Sequence, residues 1–400
     1  KPATNLKNVF KAMRNFLAGN VVGATRDEVF AQQIINLIFC KIYDEKFTKP
    51  DEMVTFRAGI DEETKDVEKR ILEIFTKVKK NYSDVIDTSD KIILDEYSLT
   101  YIVGELQQYS ILESSRDAIS DAFEIFIGHA LKGGQGQFFT PRNVVKMIVE
   151  IMNPSYEDKI IDPACGSGGF LVESLRYVWQ KAEKEFTDLG WPKHEIEIEK
   201  QKIAIKNIRG IDKDYFLSKV AKAYMALLGD GRGGVFCENS LESASHWGKK
   251  TRDEIKMEYF DMVLTNPPFG SKISIKGEEI LKQYDLGHKW KLNKKTNKYE
   301  KDKLKPKETP QLLFIERCLE LIKPNGKMAV VLPDGVLGND SLTYLREWIL
   351  GKAQILAAID VPIETFMPYT STKTSIIMMR KLEEGEVLED YNIFMCICET

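Results

Sequence analysis

From Lys159 to the end, the chain repeats one pattern: a short apolar run, a longer amphipathic stretch, then another apolar run. The short runs fall at residues 159–162, 208–212, 234–237, 259–265, 327–332, 355–360, 374–380 and 392–398. Helix-length stretches at 170–185, 215–228, 311–322 and 341–350 fit between most of them. Such alternation folds as strands of a mostly parallel, doubly wound sheet with crossover helices, an α/β class. The last connections are shorter, which predicts one antiparallel strand. In such sheets ligands gather at the carboxyl ends of the strands.

The first third lacks this pattern. Residues 1–132 read as a helical domain. Thr25 and Glu28 fit a capping box before an apolar-rich run at 29–43. Further helical stretches fall at 62–82, 98–109 and 115–131. Lys132-Gly133-Gly134-Gln135-Gly136 reads as a flexible joint. A second domain, 133–400, is expected to carry the chemistry. After the joint, Thr140 is expected to cap a helix that has Pro141 at its first position. Residues 271–307 hold twelve lysines, five acids and no arginine, and read as an inserted loop outside the core. Such a loop is usually solvated surface; its place beside the motif described below gives DNA contact equal standing.

Composition narrows the classes. The six cysteines and four histidines are scattered without metal-ligand spacing, so no metal is expected. No apolar run reaches membrane-spanning length, and no signal peptide is evident, so a cytoplasmic protein is expected. Lys1 at the start and Cys398-Glu399-Thr400 at the end predict further residues beyond both ends. The formal net charge is −4, which argues against a protein that grips nucleic acid alone.

Four features carry candidate chemistry. Asp162-Pro163-Ala164-Cys165-Gly166-Ser167-Gly168-Gly169 joins a strand to a helix through a glycine turn. Glycines admit positive φ and close approach of a ligand. The spacing is neither a dinucleotide fingerprint nor a phosphate loop. Asp162 would repel phosphate and suits a cationic ligand such as S-adenosylmethionine. Asp212 ends the second strand, where a carboxylate can accept both hydroxyls of a ribose. Asn239 ends the third and is a candidate for an adenine edge. The sharpest feature is Asn266-Pro267-Pro268-Phe269, ending the fourth strand. Two prolines fix the backbone and leave carbonyl acceptors. The Asn266 side-chain oxygen and the Pro267 carbonyl suit the two N–H donors of an exocyclic amine. Phe269 is expected to offer a face for an extruded base.

With these residues in place, the chain resembles the modification subunit of type I restriction–modification systems. Gln137-Phe138-Phe139-Thr140-Pro141-Arg142, the Asp162–Leu171 turn and Asn266-Pro267-Pro268-Phe269-Gly270 carry the likeness. Gln311 to Ile315 and the stretch from Gly326 to Leu337 extend it. The resemblance implies a Rossmann-like, class I S-adenosylmethionine-dependent methyltransferase domain behind a helical one. It implies that residues 137–142 wrap the cofactor beside Asp162, with Asp212 at its ribose. It implies methylation of adenine N6 in double-stranded DNA. It also implies a specificity subunit that reads the sequence, a restriction subunit, and a second copy of the chain. The long polar stretch 181–206 and the lysine-rich insert depart from the simplest pattern. Alternatives left open are a cytosine-N4 or protein-amide methyltransferase and a non-catalytic scaffold of a restriction complex.

Overall fold

Two compact units divide the chain, residues 1–134 with 219–233, and residues 135–218 with 234–400. The structure, a computed structural model, describes residues 6–20, 27–49, 51–112, 140–228, 234–270, 273–367 and 370–399.

The first unit contains helices α1 (Leu6–Asn20), α2 (Asp27–Phe47), α3 (Thr64–Asn81) and α4 (Glu96–Leu106). On α3, Val67, Ile71, Ile74, Phe75 and Val78 are buried, the spacing of a single apolar stripe. On α2, all seven residues from Ile34 to Cys40 are almost fully buried, so this helix is enclosed on more than one side. Asp95 starts α4 by accepting from the Ser98 backbone N–H at 2.8 Å. The helices expected at 29–43, 62–82 and 98–109 appear as α2, α3 and α4. Thr25, the stretch 115–131 and the glycine joint lie outside the described residues.

The second unit is built on an eight-stranded sheet of order β12-β10-β11-β9-β4-β1-β2-β3. Its strands are β1 (Ile160–Asp162), β2 (Ile208–Asp212), β3 (Val235–Cys237), β4 (Phe260–Thr265), β9 (Ile322–Pro333), β10 (Ala353–Val361), β11 (Thr374–Lys381) and β12 (Phe394–Ile397). Only β11 is reversed: it runs antiparallel to both β9 and β10, and every other pairing in the sheet is parallel. Its short connections dictate that, as the sequence predicts. After α5 (Arg142–Met152), the chain links these strands through α6 (Gly169–Asp188), α7 (Lys193–Asn207), α8 (Tyr215–Leu228), α9 (Lys249–Glu254) and, beyond α10 (Glu278–Leu281), α11 (Pro310–Leu321). Two further helices, α12 (Asp334–Gly338) and α13 (Thr343–Leu350), lie between β9 and β10. The strand order turns back between β1 and β4, which places a topological switch point at their carboxyl ends.

Three sequence expectations need correction. β9 starts at Ile322, five residues before the expected run, because Ile322 already pairs with Phe260; a polar irregularity with Asn325 at a left-handed φ of 64° follows before regular pairing resumes at Lys327. Thr140 does not cap α5. Pro141 stands at the cap position with no side-chain cap, and the Thr140 hydroxyl is used elsewhere.

The segment 271–307 is not a plain loop. It folds into β5 (Ile275–Lys276), α10, and a hairpin of β6 (His288–Asn293) with β7 (Lys298–Leu304), and β8 (Lys307–Glu308) pairs back on β5. Leu281, Tyr284 and Leu286 are fully buried in the main core. The Tyr284 hydroxyl donates to the Leu241 carbonyl and accepts from Arg317. Lysine content sets the exposed positions of this segment but not its few apolar ones, and those lock it to the body.

Candidate functional site

The carboxyl ends of β1, β2, β3 and β4 meet at one cavity of about 230 Å³. Pro163, Ala164 and Gly166 line it after β1, Asp212 and Lys213 after β2, and Asn239, Ser240 and Leu241 after β3. Asn266, Pro267 and Pro268 line it after β4. Ile273, Ile275, Pro310 and Phe314 close the remaining side. Its walls are mostly apolar with a few convergent polar groups, the usual make-up of a small-molecule site.

The glycine turn is shaped from below. Gly166 and Gly168 have φ of 52° and 91°, a region costly for residues with a Cβ. The Gly166 N–H donates to Asp212 Oδ2 at 2.9 Å, and the Cys165 N–H donates to the Ile211 carbonyl. Asp212 Oδ1 accepts from the Asp214 N–H at 2.8 Å. Each carboxylate oxygen retains acceptor capacity toward the cavity. Burial raises the Asp212 pKa, opposed by its two backbone N–H donors.

Asp162 lies behind the wall, 2% exposed. Its Oδ1 accepts from the Thr265 hydroxyl at 2.6 Å and the Ala164 N–H at 3.0 Å. Burial pushes its pKa up to about 7, against the pull of those two donors and with a further push from Asp212. Asp162 is not among the residues that line the cavity, and these two donors occupy its Oδ1 alone. Its side chain ties β1, the turn and β4 together, because a buried carboxyl must satisfy its oxygens inside the protein. Cys165 is likewise buried, against Gly210. Ser167, Gly168 and Gly169 shape the entry to α6 and do not line the cavity. Asn239 does line it, but its amide is occupied locally, accepting from the Leu241 N–H and donating to Glu242.

Asn266 differs. Its Nδ2 donates to the Thr140 hydroxyl at 2.9 Å, which fixes the amide. Its Oδ1 is buried and has no hydrogen-bond partner among the described residues. A buried acceptor left unpaired costs about 1–3 kcal/mol, so it is a place where a ligand donor gains free energy. Phe269 is 1% exposed and absent from the wall, so its ring is packed inward and offers no face here, contrary to the sequence expectation. Of the segment 137–142, Gln137, Phe138 and Phe139 lie outside the described residues, and Pro141 and Arg142 begin α5. Sequence reasoning missed Ser240, Phe314 and Thr265. The Ser240 hydroxyl donates to the Pro163 carbonyl and bridges two wall segments. Pro310 at the start of α11 was the available signal for Phe314, one turn further on.

The sequence matches the family model of N-6 DNA methylases over residues 114–396. The chain belongs to the N-6 DNA methylase family. It is 25% identical over 322 residues to the type I restriction enzyme StySPI methylase subunit of Salmonella potsdam, covering 78% of this chain and 54% of that one. It is 26% identical over 282 residues to the EcoKI methylase subunit of Escherichia coli K12, covering 70% and 47%. The chain thus spans about half the length of the curated relatives it matches. The type I restriction-modification methyltransferase subunit of Streptococcus thermophilus shares the fold, with a TM-score of 0.60, 17% identity and coverage of 95% of this chain and 85% of that one.

Proposed function

We propose that this member of the N-6 DNA methylase family is the modification subunit of a type I restriction–modification system. Its reaction is transfer of a methyl group from S-adenosylmethionine to N6 of adenine in double-stranded DNA. The observation that carries the reading is the unpaired, buried Asn266 Oδ1 at the cavity on the switch point.

The wall fits the cofactor. Asp212 offers acceptors for the ribose hydroxyls beside a positive-φ glycine turn that lets a ligand approach the backbone closely. Phe314 and the prolines supply apolar contact for a ring. Bound S-adenosylmethionine supplies the electrophilic methyl group. Residues 137–139 and Asn239 complete the proposed binding set.

The chain's own task is to prepare the amine. An adenine amine delocalises its lone pair into the ring and is a poor nucleophile. Asn266 Oδ1 accepts one of its N–H bonds and the Pro267 carbonyl the other. Two fixed acceptors favour a more tetrahedral nitrogen and need no reorganisation during reaction. Pro268 stiffens this edge. Phe269 would have to turn outward to stack on a base. No protein base is needed, because the product amine sheds its extra proton to solvent.

The proposed partners are a specificity subunit, a restriction subunit and a second copy of this chain. The catalytic unit is residues 133–400, and the setting is the cytoplasm, where the DNA is. The test is Asn266→Ala in the assembled complex. Cofactor affinity should persist while methyl transfer falls about 100-fold or more, the usual cost of losing one preorganised polar group. Transfer at the wild-type rate removes Asn266 from the mechanism. Product analysis showing N4-methylcytosine would reassign the base.

A further inference from the structure

The β6–β7 hairpin is a concentrated charge. Residues 288–304 hold seven lysines and two acids, net +5, in a chain whose formal net charge is −4. Its two faces differ. Trp290, Leu292, Tyr299 and Lys301 share one face by register, with Trp290 opposite Lys301 and Leu292 opposite Tyr299. That face is anchored. The Trp290 ring stacks on Tyr344 with centroids 6.2 Å apart, and Tyr299 lies 6.3 Å from the same ring. Trp290 Nε1 donates to the Asp285 carbonyl, and Lys301 pairs with the Asp285 carboxylate at 2.8 Å. The base is held in turn by Glu316, which accepts from the Asp285 and Leu286 N–H groups.

The opposite face and the turn carry Lys289, Lys294, Lys295 and Lys298. All four are exposed and make no ion pair with any described residue. The same face also carries Lys291, Glu300 and Asp302; Asp302 pairs with Lys291 at 2.7 Å and Glu300 accepts from Asn293, so five lysines against two acids leave the face and turn net positive by three, a charge that favours an external anion.

The hairpin also stands at the site. Upstream, Ile273 and Ile275 line the cavity. Downstream, β8 pairs with β5 and is followed by Pro310, which lines it again. A ribbon of six to seven residues is about 20 Å long. This is the distance scale of the phosphates beside a base seated in the cavity, not of the base itself.

We propose that the lysine face of the β6–β7 hairpin holds the phosphate backbone of duplex DNA flanking the target base. The proposal rests on the DNA methyltransferase reading above, whose partner it places on a surface. Lysines act here as mobile point charges toward phosphates, so the contact positions DNA without reading its sequence.

The test is a quadruple variant, K289Q/K294Q/K295Q/K298Q, beside a control, K65Q/K69Q/K77Q/K80Q, which removes the same charge from the exposed side of α3. Binding of a labelled 30-base-pair duplex is followed by anisotropy across salt concentrations, with cofactor titration in parallel. For the hairpin variant, the slope of log K against log salt should shrink by about 3 to 4, with affinity at least tenfold lower and cofactor binding unchanged. The control should keep most of the wild-type slope. Equal losses in both variants, no loss in the hairpin variant, or no duplex binding by the wild-type chain would each overturn the proposal. So would capture of polyglutamate in preference to the duplex, which would assign the face to an acidic protein. Methyl transfer by the assembled complex is scored separately. Its absence defeats the enzymatic reading, while the salt slope still decides the hairpin.

Discussion

Asn266 and Thr140, 126 residues apart in sequence, are joined by a 2.9 Å hydrogen bond from the Asn266 amide to the Thr140 hydroxyl. The bond leaves Asn266 Oδ1 as the unpaired end of the amide. It explains why a threonine that looks like a helix cap is not one. Pro141 holds the cap position instead, and the Thr140 hydroxyl accepts from a tertiary partner. Thr140 is a positioning residue. Thr140→Val should lower the methyl-transfer rate about tenfold, the worth of roughly one hydrogen bond, with cofactor affinity within twofold of wild type. Thr140→Ser should restore it. A valine variant at full rate would show that the amide needs no holding.

Gly210 explains how close β2 runs beneath the glycine turn. A Cβ there would sit 2.5 Å from Leu171 Cδ1 and 3.1 Å from Cys165 Sγ. Gly210→Ala should therefore destabilise the protein by about 1–3 kcal/mol, the range for overpacking. Because Cys165 begins the turn that Asp212 fixes, cofactor affinity should fall too. Urea denaturation and cofactor titration measure both. Adding Leu171→Ala should recover part of the binding loss if the clash is the cause; an unchanged midpoint for Gly210→Ala would show that the space is there.

The sheet was readable because each buried strand is a short apolar run, and several end in a polar residue at the ligand side: Asp162, Asp212 and Asn266. Parallel strands need long crossovers, and the sequence shows them. What stayed hidden is direction. Residue type does not say that Asp162 bonds inward to Thr265, or that Phe269 packs away from the cavity. Both outcomes depend on neighbours more than 100 residues off or on packing that no local pattern records. The insert failed for another reason. Its dominant lysines masked Leu281, Tyr284 and Leu286, three apolar residues in a polar stretch that nonetheless enter the core.

Glu316 tests how that insert is held. Its carboxylate accepts from the Asp285 and Leu286 N–H groups at 2.8 and 2.9 Å, and burial raises its pKa to about 7. Glu316→Ala strands two N–H groups in a buried setting, at about 1–3 kcal/mol each. The insert should open before the sheet does, seen as limited proteolysis confined to residues 271–307. Cleavage no faster than in the wild type would mean that the aromatic anchors suffice.

The last prediction concerns Asp162. Burial is the larger cause of its raised pKa, and the Thr265 hydroxyl and Ala164 N–H oppose it without cancelling it. In the unfolded chain an aspartate titrates near 4. Between about pH 4 and pH 7 the folded protein thus keeps a proton that the unfolded chain has released. Stability contributed by this group is full below the unfolded pKa, falls as pH rises through the window, and levels off above about 7. Asp212 is shifted in the same direction and adds to the same slope. Asp162→Asn keeps an oxygen that can accept from Thr265 and Ala164 but cannot titrate. The unfolding free energy of the wild type, relative to Asp162→Asn, should therefore decline from pH 4.5 to pH 7 and then stay flat. Urea titrations at four pH values measure it, with the variant cancelling every other group to first order. A difference that is constant with pH would mean that Asp162 is ionised throughout. The carboxylate would then be a fixed negative charge behind the cofactor wall instead of a neutral bridge between β1 and β4.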